Sequence, residues 1–102
     1  MNRATWKKIE RDWAEWLGGQ RVPVTGRHSG DVPDIEHPKY AIEVKAGKTM
    51  STRLRHGMDQ AVKAGEATEK IPLLCVTHNQ GPGKPKEHYV ITRLEDWQEQ
   101  NK

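Results

Sequence analysis

This chain has few of the features that identify most small protein classes. It has 102 residues, with a single cysteine, Cys75, and no phenylalanine. One cysteine excludes an intrachain disulfide framework and suits a reducing compartment. No apolar run is as long as a membrane span or the core of a signal peptide. We therefore expect a chain that does not enter a membrane and that works in the cytoplasm, in the host cytoplasm if a phage encodes it.

Apolar residues are scarce as well. They make up 33% of the chain, and the mean hydropathy is −0.96. A chain of this length has room for one modest core, which predicts a single domain over residues 1–102. A lean core in a short chain often gains stability through self-association, which favours a homodimer. Cys75 lies in the apolar run Leu73-Leu-Cys-Val and is predicted to be buried.

The charge is mildly basic overall and more strongly basic in one stretch. The formal net charge is +3, which permits nucleic-acid binding without establishing it. Residues 45–63 hold five lysines and arginines against one aspartate, and five minus one gives +4. Such a run is usually a solvated helix face. Beside a cluster of carboxylates, it indicates a track for a phosphate backbone.

A cluster of carboxylates does precede that stretch, in the sequence GDVPDIEHPKYAIEVKAG of residues 30–47. Residues 40–45 have the alternation of a strand, with Val44 facing the core and Glu43 and Lys45 facing the other way. A turn before this strand would bring Asp34 back beside Glu43. Carboxylate oxygens suit Mg²⁺, and a lysine can attend the attacking water or a phosphate. The hairpin therefore predicts a site for phosphodiester chemistry.

Residues 4–17 are predicted to form an amphipathic helix that ends at Gly18-Gly19. Its apolar face is formed by Trp6, Ile9, Trp13, Trp16 and Leu17. Glu10 lies at the edge of this face, where a carboxylate is costly unless it is paired or bound to a metal. Two interpretations stay open. Glu10 is either a boundary residue that reaches water or a third carboxylate of the site.

The remaining elements follow from periodicity and capping signals. We predict a strand from Arg21 to Thr25, a helix from Ser51 or Thr52 to about residue 67, and strands over residues 71–77 and 87–92. A capping box from Thr92 to Glu95 opens a last helix. The predicted order is α-β-β-β-α-β-β-α, which is an α/β fold.

Pro33-Asp34, then eight residues, then Glu43-Val44-Lys45 resembles the motif of the PD-(D/E)XK nuclease superfamily. The resemblance implies a restriction-endonuclease-like core, with a central mixed sheet flanked by helices. It extends over nearly the whole chain, because the predicted element order also matches. The small size and the glutamate of the first helix, Glu10, are similar to the archaeal-type Holliday junction resolvases and their compact phage-encoded relatives.

The resemblance implies a metal-dependent endodeoxyribonuclease that nicks four-way junctions. Mg²⁺, or Mn²⁺ in its place, would be held by Asp34, Glu43 and the carbonyl of Val44, with Glu10 as a further or water-mediated ligand. Lys45 would orient the attacking water. A homodimer would present two such sites to a two-fold symmetric junction. No organic cofactor is expected.

The resemblance also implies auxiliary residues. Arg27 and Ser29 lie in the loop before the aspartate and are predicted to contact DNA. His28, in the same loop, is a candidate for a phosphate contact or a proton relay. Gln60 matches a glutamine that many members of the superfamily carry in the helix after the motif. The basic stretch adds three further candidates for DNA contacts, which are Lys48, Arg53 and Arg55.

Three choices remain open in the sequence. Asp31 could replace Asp34 as the metal ligand by forming a longer hairpin; we prefer Asp34, with Asp31 as an auxiliary residue. The substrate could be other branched or duplex DNA, because the motif reports phosphate chemistry rather than DNA shape. The chain could also be a non-catalytic nucleic-acid-binding module of the same fold, or a non-enzymatic partner in a phage or repair complex. The five histidines lack the spacing of a zinc site.

Overall fold

The computed structural model describes residues 2–23 and 32–102. Within these ranges the chain is a mixed α/β protein with three helices and two small antiparallel sheets. The helices are α1 (Arg3–Leu17), α2 (Thr52–Thr68) and α3 (Leu94–Gln100). The strands are β1 (Gln20–Arg21), β2 (Ile35–Glu36), β3 (Leu74–His78) and β4 (Glu87–Ile91). The predicted third strand is reduced to an isolated bridge between Ile35 and Ile42.

The chain divides into two compact units, Met1–Lys48 and Thr49–Lys102. The first contains α1, β1 and β2, and the second contains α2, β3, β4 and α3. All the strand pairings in the described ranges are antiparallel. The single domain over residues 1–102 stays a prediction. None of the helices in residues 2–23 and 32–102 is long and apolar enough to cross a membrane.

Local signals at both ends fix α1. The Asn2 side chain accepts a hydrogen bond from the main-chain N–H of Thr5 at 2.8 Å, which caps the first turn. Gly18 ends the helix in the left-handed conformation, at φ 77°, which glycine adopts without steric cost. The prediction of a helix over residues 4–17 is therefore confirmed to within one residue.

The buried face of α1 is rotated from the one predicted. Glu10 and Ala14 are the buried residues of this helix, whereas Trp16 is 46% exposed. At roughly 100° per residue, Glu10 and Ala14 lie on the far side of Leu17 from Trp16. The sheet packs against that side, so Trp16 stays at the margin, edge-on to Trp13 with ring centroids 5.3 Å apart.

The core of the first unit is small. Its buried apolar residues are Ala14, Ile35 and Val44, with Ile9, Trp13 and Ile42 packed against them. β1 pairs with β2 in the register Arg21 to Ile35. Gly19 permits the close approach of α1 and β2, because a Cβ there would lie 2.7 Å from Cγ2 of Ile35. The lean core that composition predicts is confirmed for the first unit.

In the second unit, α2 packs on one face of the β3–β4 hairpin. A Cβ on Gly57 would lie 2.8 Å from a methyl group of Leu74, so the glycine allows this contact. Leu74 and Val76 are half-buried and alternate with the exposed Cys75 and Thr77. The prediction that Cys75 is buried is therefore wrong. The alternation of a strand with one covered face places it on the open face.

The predicted capping box of the last helix is also wrong. The N-cap of α3 is Arg93, one residue later than the motif requires, and its side chain makes no capping hydrogen bond. Instead Nε of Arg93 donates to Oδ2 of Asp96 at 2.8 Å. This hydrogen bond raises the pKa of the Arg93 guanidinium. The first turn of α3 is thus held by an ion pair.

Candidate functional site

Asp34 lies at a β-bulge. The main-chain N–H groups of Asp34 and Ile35 both donate to the carbonyl oxygen of Ile42, at 3.0 and 3.3 Å. Two residues of one strand therefore oppose a single residue of the other, which bends the strand and re-aims the side chain at the extra residue. The Asp34 carboxylate consequently reaches the opposite segment, where Oδ2 accepts the main-chain N–H of Val44 at 2.9 Å.

Residues on either side of Val44 alternate in burial. Val44 is 4% exposed and belongs to the core, whereas Glu43 and Lys45 are exposed. The predicted directions of the three side chains agree with this pattern. The expectation that Glu43 and Lys45 need a partner because their strand is largely buried does not hold. In the described ranges the segment pairs through one isolated bridge, so the outward side chains keep their water.

Glu10 is fully buried, with no exposed surface. Its Oε1 accepts a hydrogen bond from Nε of Arg21 at 2.8 Å, and the Arg21 side chain is itself only 15% exposed. The interpretation of Glu10 as a boundary residue that reaches water is therefore wrong. The prediction that its carboxylate needs a partner is met by Arg21, which sequence reasoning treated only as the start of a strand.

Strand pairing places this ion pair next to Asp34. Arg21 lies opposite Ile35, the residue that follows Asp34. The main-chain N–H of Val22 donates to the carbonyl of Asp34 at 2.9 Å. Directly opposed residues of antiparallel strands have Cβ atoms about 4.5–5.5 Å apart. The buried pair and the bulged aspartate are therefore one strand position from each other.

The structure assembles only part of the predicted metal site. Residues 2–23 and 32–102 contain no group of three or more histidine, cysteine, aspartate and glutamate side chains arranged to hold a metal. Asp34, Glu43 and Glu10 thus do not form such a group. Asp34 and the main chain at Val44 are in contact. A carboxylate and a carbonyl are the hard oxygen donors that Mg²⁺ prefers, so the assembled part fits that ion chemically.

The residues predicted to contact DNA differ in their surroundings. Lys48 is exposed in the first unit, and Arg53, Arg55 and Gln60 are exposed on α2. Arg53 and Gln60 line a groove of about 390 Å³ beside β3. The guanidinium of Arg55 lies 3.9 Å from the carboxylate of Asp59, one turn along the helix. Four further candidates fall outside the described residues, and they are Arg27, His28, Ser29 and Asp31.

A larger open groove of about 760 Å³ lies in the first unit, between the end of α1 and the turn after β2. Its lining residues include Gln20, Glu36, His37 and Tyr40, but neither Asp34 nor Glu43. His37 is occupied within the turn, where Nδ1 accepts the main-chain N–H of Lys39 at 3.0 Å. Size alone therefore does not identify the site, and donor chemistry favours the bulge.

A separate titratable cluster lies on the β3–β4 hairpin. Hydrogen bonding from His78, whose Nδ1 is 2.9 Å from Oε1 of Glu87, lowers the pKa of Glu87. The negative charge of Glu87 in turn raises the pKa of Tyr89. All three side chains are at the protein surface. The cluster belongs to the second unit and involves none of the predicted site residues.

Comparisons with known proteins leave the family open. No family model, no curated protein and no solved structure matches this chain.

Proposed function

We propose that this chain is a Mg²⁺-dependent DNA endonuclease of the PD-(D/E)XK type that nicks four-way junctions. One observation carries the proposal. The aspartate of the motif sits at a β-bulge, and its carboxylate contacts the main chain between the glutamate and the lysine of the same motif. Bulges are common next to active sites because they re-aim a side chain. The proposal includes a restriction-endonuclease-like core with a central mixed sheet, and a homodimer.

In this proposal Asp34, Glu43 and the Val44 carbonyl hold Mg²⁺, or Mn²⁺ in its place, and Glu10 is a further or water-mediated ligand. The ion supplies positive charge that activates water and stabilises the charge developing on the phosphate. Lys45 is exposed beside the assembled part of the site, where its ammonium group can orient water or contact a phosphate oxygen.

The DNA backbone would be held by cationic side chains outside the metal site. Lys48, Arg53 and Arg55 are exposed and carry the positive charge of residues 45–63. Arg27 and Ser29 would add contacts from the preceding loop, and Asp31, His28 and Gln60 keep auxiliary roles. A junction that engages two sites of a dimer gains affinity through effective concentration, which a linear duplex cannot do.

The test is cleavage of an end-labelled four-way junction and a linear duplex of the same arm sequence, in Mg²⁺ and in EDTA. We expect paired nicks in the junction, in Mg²⁺ only, from a protein that sediments as a dimer. Equal cutting of both DNAs would move the substrate to duplex or other branched DNA. A monomer with equal affinity for both DNAs would refute the resolvase assignment and leave the nuclease assignment standing.

A non-catalytic nucleic-acid-binding module of the same fold is the second candidate. It is favoured by the absence of a three-residue metal group in the described ranges. Tight junction binding without nicking in Mg²⁺ or Mn²⁺ would support this candidate over the enzyme.

A further inference from the structure

We infer that Arg21 is a positioning residue that supplies the positive charge for Glu10 while no metal ion is bound at the bulge. The inference rests on the proposed metal site, and it concerns a residue that the motif does not include. It deepens the proposed function by describing how the chain stabilises a buried acidic ligand before the ion arrives.

The burial of Glu10 is the first step. A carboxylate without exposed surface loses the hydration that stabilises its charge, and that loss costs several kcal/mol unless a cation compensates. Arg21 is positioned to compensate, because Nε lies 2.8 Å from Oε1 of Glu10 and the side chain is itself mostly buried. Arginine suits this role because its guanidinium stays charged when buried.

The position of the pair is the second step. Many buried ion pairs are purely structural, so burial alone does not connect Glu10 with a metal. This pair, however, lies one strand position from the aspartate whose carboxylate the bulge re-aims. A divalent ion held at Asp34 would add two positive charges within a few ångströms of Glu10. Arg21 and the ion would then stabilise the same carboxylate.

This arrangement has a measurable consequence. Without Arg21, the apoprotein would contain a buried carboxylate that has lost a cation, and an ion at the bulge would replace much of the missing charge. Metal should therefore stabilise an Arg21 variant more than it stabilises the wild type. A purely structural pair predicts the same metal effect in both proteins.

The experiment is thermal unfolding by circular dichroism, in EDTA and in millimolar Mn²⁺ without DNA. The variants are Arg21→Met, Glu10→Gln and the double substitution. Lys8→Met is the matched control, because Lys8 pairs with Asp12 at 2.8 Å on the surface of the same helix. This control removes the same charge from α1 without touching a buried carboxylate.

In EDTA we expect Arg21→Met to lower Tm by about 12 °C or more, since breaking a buried pair costs about 3–5 kcal/mol and each kcal/mol is worth about 4–8 °C. The double variant should recover most of this loss, because Glu10→Gln removes the charge that needs compensation. Mn²⁺ should raise the Tm of Arg21→Met by more than it raises that of the wild type or Lys8→Met. The Mn²⁺ effect should be smallest in the two variants that carry Glu10→Gln.

Equal Mn²⁺ shifts in Arg21→Met and wild type would overturn the inference and make the pair structural. So would a wild type whose Tm does not respond to Mn²⁺. If Arg21→Met does not fold, Glu10→Gln still decides, because a Mn²⁺ shift as large as that of the wild type refutes the inference. Nicking by the wild type is scored separately. Nicking with equal shifts refutes the inference alone, and the expected shifts without nicking refute the proposed function alone.

Discussion

Two substitutions at Asp34 separate its structural contact from its proposed chemistry. Asp34→Asn keeps an oxygen that can accept the main-chain N–H of Val44, whereas Asp34→Ala removes the acceptor. Both remove the negative charge that a metal ligand needs. We expect both variants to lose cleavage of the four-way junction, and we expect only Asp34→Ala to lose much stability. DNA binding should be unchanged or tighter in Asp34→Asn.

The magnitude follows from the burial of Val44, which is 4% exposed. Leaving its N–H without an acceptor should cost about 1–3 kcal/mol. Replacing the charged acceptor by an amide oxygen should cost about 1 kcal/mol or less, since charged hydrogen bonds are roughly twice as strong as neutral ones. At about 4–8 °C per kcal/mol, the Tm of Asp34→Ala should lie several degrees below that of Asp34→Asn.

The assays are thermal unfolding by circular dichroism and nicking of the labelled junction in Mg²⁺. Equal Tm values for the two variants would show that the contact with Val44 contributes little to stability. Near-normal nicking by Asp34→Asn would remove Asp34 from the site. If Asp31→Asn lost activity in that case, the ligand would be Asp31.

Three further predictions concern exposed side chains. Glu43→Gln should abolish nicking and change Tm by less than about 0.5 kcal/mol equivalent, because Glu43 is exposed; a large Tm loss would contradict this placement. In a salt titration of DNA binding, Arg53→Ala and Arg55→Ala together should reduce the log–log slope by about 0.9 per lost phosphate contact, and an unchanged slope would mean that both merely face solvent. The lowered pKa of Glu87 stabilises the fold above the ordinary glutamate pKa and loses this effect as pH falls through the lowered value. Unfolding measured from pH 6 to pH 3 should therefore show a smaller acid loss of Tm in His78→Ala than in wild type, and identical curves would contradict this.

The helices were predictable from the sequence because their signals are local. An apolar period of 3.6 and the pair Gly18-Gly19 locate α1 to within one residue. α2 and the strands β3 and β4 likewise follow from short-range patterns. The errors arose where a neighbouring element decides the outcome. Cys75 is exposed because α2 covers the other face of the hairpin, and no property of an apolar run states which face that is.

The candidate site was predictable in its residue types and not in its contacts. The motif predicts Asp34 beside the Glu43–Lys45 segment, and the structure places its carboxylate on the main chain of Val44. The bulge that causes this is set by strand register, which has no signature in a single sequence. The cation of Glu10 is eleven residues away along the chain. Proximity of this kind arises only when α1 packs on β1, so Arg21 could not be selected among 17 lysines and arginines.

Core and candidate site share the same short segments. Ile35 follows Asp34, and Val44 separates Glu43 from Lys45, so the buried residues of the first unit alternate with its proposed functional groups. With so few buried apolar residues, a change in either set will disturb the other. Activity loss alone therefore cannot identify a catalytic group in this chain. Isosteric changes such as Asp34→Asn and Glu10→Gln, measured together with Tm, separate charge from packing, because they alter the charge while the neighbouring core residues keep their contacts.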